Sequence, residues 1–381
     1  MKFTFLTNII LLLTVLSFSI NKAQPNISQA ETEKFYQAIN ESREIVKQFM
    51  DESKVPGMAA AVSVNGKLIW SEGFGYADLE NGIPVTKHTR FRIASISKPI
   101  TAAALALLYE QGLIDLDEPI QTYLPDFPQK RWVVTLRMLA SHQAGVRTYV
   151  DDEFLNNKHF DSVSDGVDIF REDTLLFKPG TQYSYSSYGF NLISEVIEKV
   201  SGEKFLKFMQ RNVFDPLGMN SIIADHTDSL ISHRSRFYSL SEDSKILNST
   251  FVDNSNKWAG GGFISNAEDL IKFGNAHLHN RFLREETVKL FTAPIKPLNG
   301  EETNYGLGWF SGNDNFGHHW IGHAGGAIGG RSVLIIYPKD NIVVAIATNL
   351  GPAKMPVEEA QIISNIFRSN TISEISLESE K

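Results

Sequence analysis

The chain of 381 residues contains no cysteine. Disulfides are excluded, and so is a lipid carried on an N-terminal cysteine. Positive charge is not in surplus: 36 Lys and Arg face 44 Asp and Glu, for a formal net charge of −8, and no basic block stands out. That balance argues against nucleic acid as a partner. There is no Gly-x-Ser-x-Gly, which weakens an α/β-hydrolase reading. The run "GGAIGG" (325–330) has no Lys-Ser/Thr after it, so it is not a phosphate loop, and no Gly-x-Gly-x-x-Gly opens a helix after a strand. His318, His319 and His323 suggest metal at first sight. The i, i+4 spacing of the last two needs a helix, the stretch is glycine-rich, and no carboxylate pattern accompanies it, so neither metal nor organic cofactor is expected. Internal repeats and low-complexity linkers are also missing.

What is present is an ordinary globular composition, 42% apolar and 21% charged. A chain this long can bury a core that needs no staple. The start, "MKFTFLTNIILLLTVLSFSINKAQ", has a short positive region at Lys2, an uncharged run from Phe3 to Ile20 and a small residue, Ala23, before a cut. This reads as a secretory signal peptide over 1–23, giving a secreted or periplasmic protein. An uncleaved membrane anchor is the alternative, and Thr7, Asn8, Thr14 and the serines make it a poor one.

Residues 29–52 carry Phe35, Ile39, Ile45 and Phe49 at roughly helical spacing, and Pro56-Gly57 ends that helix. Asn65-Gly66 then sits between two strand-like runs, a strong hairpin signal, because both central residues of a type I′ turn need positive φ. At the far end "SVLIIYPKDNIVVAIATNL" reads as a second hairpin and "VEEAQIISNIFRSN" as a closing helix. The symmetry implies an α+β fold: an antiparallel sheet built from both termini and faced by both terminal helices. The α/β part covers about 24–94 and 255–381. A large, mainly helical insertion of about 95–254 holds "KPITAAALALLYEQG", "TLRMLASHQAG" and "FNLISEVIEKVSGEKFLKFMQRNVF".

Ser95-Ile-Ser-Lys98 places a serine and a lysine on one helix face, where the amine can serve as base to the hydroxyl. The pattern alone carries little, since chance supplies about one or two such pairs in a chain this long. Ser201-Gly-Glu-Lys204 is another. Ser95 follows the strand-like "FRIA" and opens an alanine- and leucine-rich helix, whereas Ser201-Gly202 marks a break between helices. An N-cap serine with a solvated lysine is the bland alternative at Ser95. To act as base Lys98 must be neutral, and at an unperturbed pKa of about 10.4 only about one molecule in 2,500 is neutral at pH 7. Burial has to supply roughly 4–5 kcal/mol of preference for the neutral amine.

Three stretches now line up in order: Ser95-x-x-Lys98, "PGTQYSYSSYG" (179–189) and "GHAGG" (322–326). With "VPGMAAAVSVNGKLIWSEGFGYAD", "TLRMLASHQAG", "VFDPLGM", "WAGGGFISNAEDLIKFG" and "YGLGW", the chain resembles the serine β-lactamase/penicillin-binding superfamily in its class C-like branch, which includes carboxypeptidases, esterases and LACTB-type proteases. The resemblance spans about 55–350 and implies the β-lactamase/transpeptidase-like fold. It implies an acyl-enzyme mechanism with Ser95 as nucleophile, Lys98 as its base partner and Tyr185 as the catalytic phenol. Tyr183 and Tyr188 fall at variable positions where packing is expected. Ser187 stands where many relatives have asparagine. The third motif falls on His323, Ala324 and Gly325 at the substrate, and backbone N–H groups of Ser95 and Gly326 form the oxyanion hole. Glycines at 325 and 326 suit close approach of a substrate carbonyl.

Histidine, with an unperturbed pKa of about 6.5, holds no permanent charge, so His323 attracts a substrate carboxylate less than a lysine would. Serine at 187 offers one hydroxyl where asparagine offers an acceptor and two donors. Both features favour an esterase or peptidase acting on a small-molecule or peptide substrate. A class C-like β-lactamase, a D-Ala-D-Ala carboxypeptidase and a penicillin-binding receptor that acylates without turnover are the alternatives. His142 reads as a helix-end structural group, and His277 and His279 as surface groups. Trp258, Tyr305 and Trp309 fit either a cleft wall or the core.

Overall fold

The computed structural model describes residues 35–279 and 282–378. The signal-peptide reading of 1–23 lies outside them. Helix α1 (Tyr36–Ser53) ends where Lys54 turns left-handed at φ 55, just before Pro56. Of the four residues the spacing singled out, Phe35, Ile39 and Phe49 are buried and Ile45 is half-buried, while its neighbour Val46 is buried. Strands β1 (Gly57–Val64) and β2 (Lys67–Asp78) form the first hairpin. Asn65 and Gly66 take φ 52 and 76, both positive as a type I′ turn requires.

β3 (Ile83–Pro84) adds an edge. The rest of the sheet comes from the other end of the chain: β4 (Phe310–Asn313), β5 (His319–Ala327), β6 (Gly330–Tyr337) and β7 (Ile342–Thr348). The antiparallel order is β3-β2-β1-β7-β6-β5-β4, so β1 and β7 join the two ends, from Met58 opposite Thr348 to Val64 opposite Ile342. Strand periodicity then divides the side chains. Met58, Ala60 and Val62 of β1 and Ile342, Val344 and Ile346 of β7 pack under α1 and the terminal helix α5 (Val357–Glu378), which contributes Ala360, Ile363 and Phe367. Ala59, Ala61, Val343, Ala345 and Ala347 face the opposite layer. Full burial of one such Ile or Phe contributes about 1.5–3 kcal/mol.

That opposite layer is the insertion between β3 and β4. Its central helix α2 (Ser97–Glu110) is buried along most of its length. α3 (Ser187–Ser201) packs against it, and α4 (Ala267–Leu278) lies on the sheet. The middle is less helical than its pattern suggested. The stretch 187–214 breaks at Gly202 (φ 70), and a small sheet of Phe91–Arg92, Phe263–Ser265 and Ile223–Ala224 ties the insertion together. One expectation fails. His277 is 6% exposed, its ring tilted against those of Phe273 and Trp309, with Nδ1 against the Phe273 carbonyl at 2.8 Å. The helix face that carries it points inward, and His279 is half-buried. Among the described residues no helix is long and apolar enough to cross a membrane.

Candidate active site

Ser95 sits in a single 3-10 turn, Ala94–Ile96, that leads from the Phe91–Arg92 strand into α2. Ala94 adopts φ 49, a left-handed conformation that costs a residue with a Cβ about 1–3 kcal/mol. The surroundings hold it there. The Ile93 carbonyl accepts from Ser332 Oγ at 2.7 Å and from the Ile96 N–H at 3.1 Å. β5 presses on the same turn, since a Cβ on Gly325 would lie 2.3 Å from the Ile93 oxygen. The need for glycine at 325 therefore comes from the protein's own backbone, where the sequence had suggested a substrate carbonyl. Gly326 and Ser95 line one recess.

Lys98, the second residue of α2 and one turn on from Ser95, is fully buried. Its Nζ lies 3.0 Å from Ser95 Oγ, 3.0 Å from Ser187 Oγ and 2.6 Å from the Gly260 carbonyl. No carboxylate pairs with it among the described residues. Burial, with the charge of Lys257 second, holds the amine well below the usual lysine range. The contacts suit a neutral amine. It has two N–H groups and one lone pair. The carbonyl of Gly260 must accept one N–H and Ser187 Oγ takes the other, which leaves the lone pair for the Ser95 hydroxyl.

The second motif is placed by a cap. Ser186 caps α3, its Oγ accepting from the Gly189 N–H at 3.3 Å and donating to the Arg147 carbonyl at 2.6 Å. Tyr185 just before it meets the Ser95 hydroxyl, and Lys98 Nζ stands 4.8 Å from its ring centroid. Burial pushes the Tyr185 phenol far above its ordinary range, so it keeps its proton and acts as a donor. Tyr188 is fully buried and stacks on Phe170, with its hydroxyl donating to Glu153 at 2.9 Å. Tyr183 is half-buried against His142 and Tyr305. His142 supports the motif from below. Its Nδ1 accepts from the Ser186 N–H at 3.1 Å, and its ring lies 4.2 Å from that of Tyr185.

The remaining expected residues are placed less simply. Ser187 is 6% exposed, and its hydroxyl is shared by Lys98 and the Tyr149 phenol. It serves the lysine before it can serve a substrate. His323 is 1% exposed. Its Nδ1–H donates to the Ala324 carbonyl at 2.6 Å, and its Nε2 accepts from Tyr305 Oη at 3.0 Å, so both nitrogens are used within the protein. Burial lowers its pKa to about 3, with Lys98 adding in the same direction, so the ring is neutral. Ala324 is half-buried on β5. Of the three doubtful aromatics, Tyr305 backs His323, Trp309 stacks on Phe273 in the core, and Trp258 starts the short helix that carries Gly260.

Sequence reasoning missed three participants: the Gly260 carbonyl, Tyr149 and Lys257. A hint lay in "NKWAGGG", a lysine set against a run of small residues. A Cβ on Gly260 would stand 2.9 Å from the Ser187 oxygen, so the run lets the chain approach α3.

The human protein described as "Serine beta-lactamase-like protein LACTB, mitochondrial" is 31% identical over 441 residues, covering 91% of this chain and 80% of that protein. Penicillin-binding protein 4* of Bacillus subtilis (strain 168) is 29% identical over 289 residues, 71% of this chain and 63% of that one. The D-amino acid amidase from Ochrobactrum anthropi SV3 superposes with a TM-score of 0.75 over 90% of this chain and 99% of that structure, at 23% identity, a likeness of fold. The family model described as Beta-lactamase matches residues 43–364, and the chain belongs to that family of serine β-lactamase-like hydrolases.

Proposed function

We propose that the protein is an exported serine hydrolase that cleaves esters or amide bonds of small peptides through an acyl-enzyme on Ser95. The observation that carries this reading is the buried Lys98 amine, 3.0 Å from Ser95 Oγ and without an acidic partner among the described residues. In the first step Ser95 Oγ bonds to the substrate carbonyl carbon while its proton passes to Lys98. The carbonyl oxygen takes up negative charge against the N–H groups of Ser95 and Gly326, each worth about two to three orders of magnitude in rate. The leaving atom departs with the proton held by Lys98, relayed through the Tyr185 hydroxyl. A water then attacks the ester, Lys98 again takes the proton, and Ser95 is restored.

The uncharged, enclosed His323 supports esters and peptides over β-lactams, because the third motif brings no permanent cation to the substrate. Export is supported by residues 1–23. Mitochondrial leaders are Arg-rich, and this segment has Lys2 and Lys22 and no arginine.

Fluorophosphonate labelling tests the nucleophile: wild type takes up one adduct, and Ser95→Ala takes up none. Undiminished labelling of Ser95→Ala sinks the mechanism. A panel of p-nitrophenyl esters, D-Ala peptides and nitrocefin tests the preference. Nitrocefin turnover at a kcat/KM of about 10⁵ M⁻¹s⁻¹ or more reverses it.

A further inference from the structure

Beside Ser95 lies a narrow recess of about 30 Å³, walled by Tyr149, Phe154, Ser187, Lys257 and Gly326. Lys257 is 5% exposed. Its Nζ reaches the Phe154 carbonyl at 3.3 Å and stands 5.2 and 4.8 Å from the ring centroids of Tyr149 and Phe154. No carboxylate forms an ion pair with it among the described residues. The acid nearest in effect, Asp253, gives its oxygens to Ser255, Thr227 and His159. An ammonium has three donors, and one weak contact leaves two unused. An enclosed cation so poorly paired is costly unless something anionic completes it.

The position of the recess says which part of a substrate it takes. Tyr185, which meets the Ser95 hydroxyl and relays a proton to the leaving group, is not among its walls. The acyl part is left to fill it. We propose that Lys257 is a specificity residue that binds a carboxylate on the acyl portion of the substrate. The assignment rests on the acyl-enzyme reading of Ser95. It is also compatible with a weak claim on penicillins and D-Ala-D-Ala ends, whose carboxylate lies on the leaving-group side of the scissile bond. Burial brings the Lys257 amine down to about 8, with Arg92 lowering it further and Asp253 opposing, so it remains mostly charged at neutral pH. The same charge helps to hold Lys98 neutral. Removing it therefore slows all substrates alike, and only the ratio between substrates reports recognition.

The test compares mono-p-nitrophenyl adipate with p-nitrophenyl hexanoate, acyl chains of equal length ending in a carboxylate or a methyl. Wild type is expected to favour the adipate in kcat/KM by about 10- to 100-fold. Lys257→Met brings the ratio to one or below, while Lys257→Arg keeps most of it. A wild-type enzyme without the preference, or a Lys257→Met variant that slows both esters equally, overturns the assignment. The wild-type ratio needs no variant to fold. An enzyme that is labelled at Ser95 and hydrolyses the hexanoate without carboxylate preference overturns the Lys257 assignment alone. Absence of Ser95 labelling overturns the acyl-enzyme reading and this one with it.

Discussion

Among the described residues two Ser-x-x-Lys pairs occur, and they share nothing but spacing. Ser95 and Lys98 lie at the start of a helix held between β5, α3 and the Trp258–Gly261 turn, and Lys98 is fully buried. Ser201 and Lys204 lie at the end of α3. There Ser201 Oγ donates back to the Ile197 carbonyl at 2.6 Å, and the Lys204 side chain is 71% exposed, 3.8 Å from Glu198. The first lysine has lost its water, gained no acid, and been given a carbonyl and two hydroxyls. The base is made by that environment and not by the sequence interval.

The comparison can be broken most decisively at the lysines. Lys98→Met should lower kcat/KM by about 10³- to 10⁴-fold, measured on the best ester of the panel. Its effect on stability has the opposite sign. Because the folded-state pKa of Lys98 is lowered, the unfolded chain binds the extra proton more readily between that value and the unfolded one, and the lysine costs stability that is recovered as pH rises through this window. Lys98→Met removes the cost, so its Tm in differential scanning calorimetry should exceed that of wild type at pH 7 and converge with it as pH rises. An inactive variant with a lowered Tm throughout would contradict the account of burial.

A finer test leaves the lysine and disturbs its cage. Gly260→Ala forces a Cβ to within 2.9 Å of the Ser187 oxygen. It should cost about 1–3 kcal/mol in urea unfolding. By moving the carbonyl that Lys98 donates to, it should also lower kcat by about tenfold, with the pH profile displaced toward acid pH, because that acceptor favours the charged amine. An unchanged pH profile would mean that the Gly260 carbonyl does not hold the amine. The smallest effect belongs to the second pair. Lys204→Met should leave kcat/KM within about twofold and change stability by less than about 1 kcal/mol, as expected of an exposed ion pair.

Much of the frame was legible because local rules and global packing agree there. Asn65-Gly66 demanded its turn, and the strand-like apolar runs that became β1 and β7 marked a sheet built from both ends of the chain. The insertion was less legible. Its helices are short, although the break at the left-handed Gly202 was marked in the sequence. His277 was misplaced because periodicity does not say which way a half-apolar helix face will turn when Trp309 arrives from a distant segment.

The chemistry divides in the same way. Ser95, Lys98 and Tyr185 were named by the order and register of their motifs, and the absence of cysteine closed other routes without any structure. The tertiary structure alone decided the state of those groups. Lys98 is drawn well below the usual lysine range because the fold buries it and sets the charge of Lys257 nearby. His323 is enclosed because Tyr305 takes its free nitrogen. Lys257 faces the recess because the Tyr149–Phe154 segment folds over it. Protonation depends on desolvation and on partners distant in the chain. A sequence names the residues that titrate, and only the fold sets the medium in which they do so.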